Sequence, residues 1–246
     1  MSSHKKNILI TGVGKGLGEE FLKYFTSRGF FVFGITRSKS DLVKLKSLKN
    51  CKIYIGDVCN EKTIKKILQD SIKEKKIIYG IINNAGIRHR QEFKKIKLKE
   101  LERTFQVNYF SIFKIMQIFL KYSLKLKIKS SIVNIGSIVG GKQGFSNLTA
   151  YASSKGALKS LTQSFAIEVA KYGVRANTIN PGFIKTSYYN SFKKKKKLYN
   201  WTISRIPMKH WGEPKHISGL AEYLLSEKSE YLTGETINID GGWTNA

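Results

Sequence analysis

Apolar positions along this chain fall into two kinds of run. The first kind is short and nearly unbroken, and each example predicts a buried strand. These runs are Lys6-Asn-Ile-Leu-Ile-Thr-Gly12, Phe30–Ile35, Lys52–Val58, Ile77–Asn83, Ser131–Ser137, Val174–Asn180 and Glu235–Asp240. The second kind is longer and amphipathic, and predicts helices. One opens at the glycine-rich turn 12–18, and others span Glu61–Lys75, Leu98–Lys127 and Thr149 to about Tyr172, with another starting at Pro214. Strand and helix alternate throughout, without internal repeat or a second composition. That alternation predicts one α/β domain over 1–246, a doubly wound parallel sheet of about seven strands with helices on both faces. The stretch after Pro181-Gly182 breaks the pattern. It carries Tyr188, Tyr189, Phe192, Tyr199 and Trp201 and is expected to be an irregular, mobile lid at about 183–211.

The polar residues that interrupt these runs suggest chemistry. Thr11-Gly-Val-Gly-Lys-Gly-Leu-Gly18 stands between a strand and a helix. Glycine there lets backbone approach a phosphate, and the helix start offers free N–H groups. After the second strand come Arg37 and Lys39, with Lys15 nearby in the glycine turn, while Asp41 stands five residues beyond Thr36. Cations in place of an acid suit a ribose 2′-phosphate, which predicts NADP(H) over NAD(H). Tyr151 and Lys155 are i and i+4 on one helix face. A phenol has a pKa of roughly 10, and a neighbouring ammonium lowers it into the range of acid–base work. Ser137 ends the fifth strand, at the carboxyl end where open α/β folds bind ligands. Asn108 interrupts an apolar stretch and is either a satisfied core amide or a site group.

Composition narrows the function without naming it. The chain has 246 residues and 41% apolar content, which suits a folded soluble protein. No apolar run is long enough for a membrane span, and no signal-peptide core precedes the first strand. Two cysteines and four histidines support neither a disulfide framework nor a metal site, and point to a cytoplasmic location. The net charge of +27 raises the question of a polyanion partner. Only seven of the 44 basic residues are arginine, and the lysines run through nearly every helix. Base-reading proteins favour arginine, so specific nucleic-acid binding is not expected and compositional drift is the better account. The run Lys193–Lys197 is the one local cluster.

Eight motifs in order give the chain a resemblance to the short-chain dehydrogenase/reductase family over essentially its whole length. They are Thr11-Gly-x-x-x-Gly-x-Gly18, Asp57-Val58, Asn83-Asn-Ala-Gly86, Asn108, Ser137, Tyr151-x-x-x-Lys155, Pro181-Gly182 and Asp240-Gly-Gly242. The resemblance implies a Rossmann-type fold and a catalytic set of Asn108, Ser137, Tyr151 and Lys155. Tyr151 would pass a proton to or from the substrate oxygen, and Ser137 would hydrogen-bond it. Lys155 would depress the Tyr151 pKa and hold the nicotinamide ribose, and Asn108 would hold a relay water. Cofactor contacts would come from Gly12, Lys15, Gly16, Leu17, Gly18, Arg37, Asp57, Val58, Asn84, Ala85, Gly86, Tyr151, Lys155, Pro181, Gly182, Ile184 and Thr186. The subgroup it looks most like reduces 3-oxoacyl-[acyl-carrier-protein], from Asn83–Ile87, Arg205–Pro214 and Gly234–Gly242. Ser137 and Tyr151 are 14 apart, one more than is usual in that subgroup. A sugar, polyol or other small-alcohol dehydrogenase, using NAD or NADP, is the alternative. Outside enzymes, a non-catalytic cofactor- or polyanion-binding protein would share the fold. The substrate would be a small or carrier-bound carbonyl compound, and the resemblance implies a homotetramer or dimer.

Overall fold

In the computed structural model, which describes residues 7–45, 47–141, 143–187 and 189–246, the alternating pattern becomes one sheet. Its strands are β1 (Asn7–Thr11), β2 (Phe31–Thr36), β3 (Cys51–Ile55), β4 (Gly80–Asn83), β5 (Ser130–Ile135), β6 (Val174–Pro181) and β7 (Thr236–Ile239). All pair in parallel, in the order β3-β2-β1-β4-β5-β6-β7. The helices are α1 (Gly16–Ser27), α2 (Lys39–Leu45), α3 (Glu61–Lys73), α4 (Leu98–Phe105), α5 (Ser111–Leu126), α6 (Thr149–Val169), α7 (Tyr189–Lys193), α8 (Lys196–Arg205) and α9 (Pro214–Leu225). Lys6 and Tyr188, expected in the first strand and the lid, lie outside the described residues.

Alternation along each strand feeds two cores. Ile8 and Ile10 pack with Phe21 and Leu22 of α1 and Ile217 and Leu224 of α9. Leu9 packs on the other face with Ile64 of α3, Phe119 of α5 and Leu158 of α6. The sheet is therefore apolar on both faces, as parallel sheets with helices on each side are. One polar line crosses it. Asn83 Nδ2 donates to Asn134 Oδ1 at 2.8 Å, Asn134 Nδ2 to Thr162 Oγ1 at 2.9 Å, and Thr178 Oγ1 to Thr162 Oγ1 at 3.0 Å, all buried. The strand order reverses direction between β1 and β4. That switch point opens a crevice at the strands' carboxyl ends.

Two expectations change. The single helix over Leu98–Lys127 is α4 and α5 joined by a π-helical turn, Gln106–Phe110. The Ser111 amide reaches back five residues to the Gln106 carbonyl, and the Ser111 hydroxyl takes the bypassed Val107 carbonyl at 2.6 Å. The second change lies after Pro181. The segment expected to be irregular holds α7 and α8, packed with Phe183 around Trp211 and Trp243. Trp211 Nε1 donates to Thr202 Oγ1 at 2.8 Å and pins α8 in place. Its apolar side was masked by the lysine run at its start. Smaller shifts occur at strand ends: β3 stops at Ile55 instead of Val58, and β4 starts at Gly80 instead of Ile77.

Candidate active site

The crevice at the switch point divides into two chambers that share Leu17. The first, of about 500 Å³, lies over β1, β2 and β4. Its floor is the glycine turn. Gly12 has φ +75° and lies against Ala85, while a β-carbon on Gly18 would run into the Gly12 carbonyl. Glycine at both positions is thus required by close packing of turn, helix and strand. Asn84 braces the turn through Nδ2 bonds to the carbonyls of Thr11 at 2.9 Å and Gly12 at 3.2 Å. The far wall holds Asp57 and Val58. Burial raises the Asp57 carboxyl, but the Cys59 amide bond at 2.9 Å and the charges of Arg37 and Arg103 outweigh it, and the group stays below its usual value. A chamber with bare backbone at a helix start fits the phosphates of a dinucleotide.

Where β2 ends, the chamber differs from the expectation. Lys15 and Arg37 line the chamber, but Lys39 does not. Asp41 does line it, although no acid was expected at this strand end. The first turn of α2 folds back so that Thr36 Oγ1 donates to Asp41 Oδ2. A β-carbon on Gly14 would run into that same carboxylate. An acid five residues away in sequence therefore stands at the strand end in space.

The second chamber, of about 990 Å³, contains Ser137 and Tyr151 together with Pro181, Gly182, Ile184 and Thr186. The Ser137 amide donates to Asn180 Oδ1 at 3.0 Å, and its hydroxyl accepts from the Val139 amide at 3.1 Å. Lys155 lies one turn beyond Tyr151 on α6, with Nζ 5.9 Å from the ring centroid. It is 6% exposed, and Nζ donates to the Ile135 carbonyl at 2.6 Å, just past the last β4–β5 pair, Asn83 with Asn134. Burial pulls its pKa down to about 8. Asn108 sits behind, fully buried in the π turn. It accepts from the Ile87 amide at 2.8 Å and donates to the Ile87 carbonyl at 2.9 Å and Ser154 Oγ at 3.0 Å. Both donors are thereby spent on protein atoms, and the side chain braces the strip beside Gly86.

A family model described as enoyl-(acyl carrier protein) reductase matches residues 12–244. The chain is 33% identical to the 3-oxoacyl-[acyl-carrier-protein] reductase FabG of Buchnera aphidicola subsp. Schizaphis graminum, covering 98% of both chains. The chain belongs to the short-chain dehydrogenase/reductase family. Another relative in this family is the 2-dehydro-3-deoxy-D-gluconate 5-dehydrogenase of Bacillus subtilis, 31% identical over 97% of this chain and 94% of that one. The structure of 4-hydroxyisoleucine dehydrogenase complexed with NADH superposes with a TM-score of 0.91, at 30% identity, covering 98% of this chain and all of the other. These short-chain dehydrogenase/reductase relatives establish a nicotinamide-dependent oxidoreductase acting on carbonyl or CH–OH groups.

Of the residues picked from sequence, Gly12, Lys15, Leu17, Gly18, Arg37, Asp57, Val58, Asn84, Ala85 and Gly86 line the first chamber. Ser137, Tyr151, Pro181, Gly182, Ile184 and Thr186 line the second. Gly16, Asn108 and Lys155 line neither; Lys155 and Asn108 stand behind the wall, near Gly86. Sequence reasoning missed Asp41, Arg88, Arg90 and Gln143. Among the described residues no cluster of His, Cys, Asp or Glu could hold a metal, and no helix is long and apolar enough to cross a membrane.

Proposed function

We propose that this protein is an NADP(H)-dependent reductase of a ketone or 3-oxoacyl thioester, working in the cytoplasm as a homotetramer. The observation that carries the reading is Tyr151 in the wall of the second chamber with a buried lysine ammonium 5.9 Å from its ring. Tyr151 donates the proton to the substrate oxygen in reduction and withdraws it in oxidation. The Lys155 ammonium favours the phenolate, because a positive charge held on the same helix face 5.9 Å from the ring stabilises the deprotonated form. Ser137 Oγ donates to the same oxygen as charge develops there. Its backbone is held by Asn180, which is itself bonded to Asn238 at 3.0 Å, so the hydroxyl is carried on a fixed frame. Asn108 positions the Ile87 strip and, through Ser154, the turn of α6 that carries Tyr151. The nicotinamide, when bound, supplies or accepts the hydride. Lys15 and Arg37 at the ribose end favour the 2′-phosphate.

Tyr151→Phe tests this directly. The variant should bind NADPH as the wild type does and lose roughly 10²–10⁴ in kcat. Turnover within tenfold of wild type would overturn the assignment. A second reading, an NAD-dependent dehydrogenase of a hydroxy acid or polyol, is favoured by Asp41 at the ribose end and by the hydroxy-acid and sugar-acid relatives.

A further inference from the structure

The second chamber has a charge pattern that lysine drift does not explain. Its lining comprises 27 of the 246 residues. Basic residues scattered at random would place about four lysines and fewer than one arginine there, since lysine is the chain's default cation. The chamber instead holds one lysine, Lys195, and three arginines, Arg88, Arg90 and Arg205. Among the described lining residues there is no Asp or Glu.

Arg205 is the best defined of the three. It ends α8, and its guanidinium carbon lies 5.6 Å from the Trp201 ring centroid and 4.9 Å from that of Trp243. Trp243 is fixed in turn: it is 1% exposed, and Nε1 donates to Gln143 Oε1 at 2.6 Å. Phe145 stacks on it at 6.0 Å and 20°. The two rings attract the guanidinium, and among the described residues no hydrogen bond takes its N–H groups. Among the described residues no carboxylate pairs with Arg205. A planar two-donor edge matches a carboxylate or a phosphoryl group, and an ammonium does not supply that geometry.

From this we propose that the substrate carries an anionic group, a carboxylate or phosphoryl oxygen pair, which Arg205 binds against Trp201 and Trp243 while the carbonyl faces Tyr151 and Ser137. This rests on the reading of the chamber as the substrate side of the active site. The aromatic residues around Arg205 accommodate the carbon skeleton, and Arg90 and Arg88 add positive field from the opposite loop. Arg205 thus selects among carbonyl compounds by charge at one end.

Tryptophan fluorescence tests it, because two of the three tryptophans touch Arg205. The full chain is titrated with succinate, inorganic phosphate and dimethyl succinate at constant ionic strength. A saturable change with either anion, and none with the neutral diester, is the expected result. The tighter of the two anions tells carboxylate from phosphoryl recognition. Arg205→Met should weaken the response at least tenfold, about 1.4 kcal/mol. Arg205→Lys should fall between, since it keeps charge and loses the two-donor edge, and it guards against a folding defect in the Met variant. Lys194→Gln, outside the chamber, should change nothing. An equal response to the diester, an unchanged Arg205→Met titration, or equal losses in Lys194→Gln and Arg205→Met would overturn the proposal. Anion binding without any nicotinamide-dependent turnover would sink the proposed function and leave the anion site standing. Turnover indifferent to substrate charge would sink the anion site alone.

Discussion

At the scale of single residues, two groups in the crevice sit in tension with their surroundings. Lys155 is a buried cation bonded to one carbonyl, with its pKa drawn down to about 8. The unfolded chain, with lysine at about 10.4, binds more protons between those values. Stability contributed by this residue therefore rises as pH goes from 8 to 10.5, and below pH 8 the full penalty is present. Lys155→Met should abolish that rise, a difference of about 3 kcal/mol between pH 7 and pH 10.5, read by urea unfolding at each pH. Asp41 is the second case. Its carboxylate lines the first chamber with Lys15 and Arg37, where it would repel a 2′-phosphate and would accept from a ribose hydroxyl. Asp41→Asn should raise the NADPH-to-NADH affinity ratio about tenfold, roughly one charge pair's worth; fluorescence titration with both cofactors gives the ratio directly. Tyr151 and Lys155 were legible in the sequence because they stand four apart on α6 and share a face, whereas Ser137 lies two residues beyond the end of β5 and was pointed to by the family motifs, not by a strand period. Asp41 was not legible, because a turn of α2 closes a gap that sequence distance cannot measure.

At the scale of elements, the strands were legible and the helices only partly so. Runs such as Ile8-Leu-Ile10 are short, flanked by a glycine turn and apolar on both faces, which suits a covered parallel strand. The long helix through Asn108 was read as continuous, since one extra residue in a turn leaves the apolar periodicity almost intact. The device that permits the extra residue is Ser111, whose hydroxyl satisfies the Val107 carbonyl. Ser111→Ala should cost about 1–3 kcal/mol, the price of one buried unpaired carbonyl, visible in the urea midpoint. Because Val107 lines the cofactor chamber, the same variant should bind NADPH more weakly. Helices α7 and α8 escaped notice for a different reason. Tyr199, Thr202, Ile203 and Ile206 do repeat at helical spacing, but five consecutive lysines immediately before them dominate the composition.

At the scale of the whole molecule, apolar surface and charge oppose each other. Phe110 and Phe113, at the π turn and the start of α5, are 49% and 40% exposed, and Ile167 on α6 is 81% exposed. Two helices that already cover the sheet do not need outward phenyl and isoleucyl side chains, and burying them against another copy gains about 1.5–3 kcal/mol for the exposed Ile167 and roughly half that for each half-buried phenyl. A charge of +27 on every copy resists that association. Assembly should therefore tighten as salt rises from 50 to 500 mM, the reverse of a salt-bridged interface. Light scattering after size exclusion gives the mass, and Ile167→Glu should reduce it to a smaller species.

The amide and hydroxyl line from Asn83 through Asn134 and Thr162 to Thr178 has a separate consequence for how the chain finds this arrangement. Strands of isoleucine and valine, greasy on both faces, could slide past one another by two residues with little change in burial. The buried polar groups remove that freedom. At any other offset Asn83 and Asn134 would face hydrocarbon with their hydrogen bonds unmade, at a cost of about 1–3 kcal/mol for each. The line acts as an alignment key: it adds little to the depth of the native state and raises every mis-slid competitor above it.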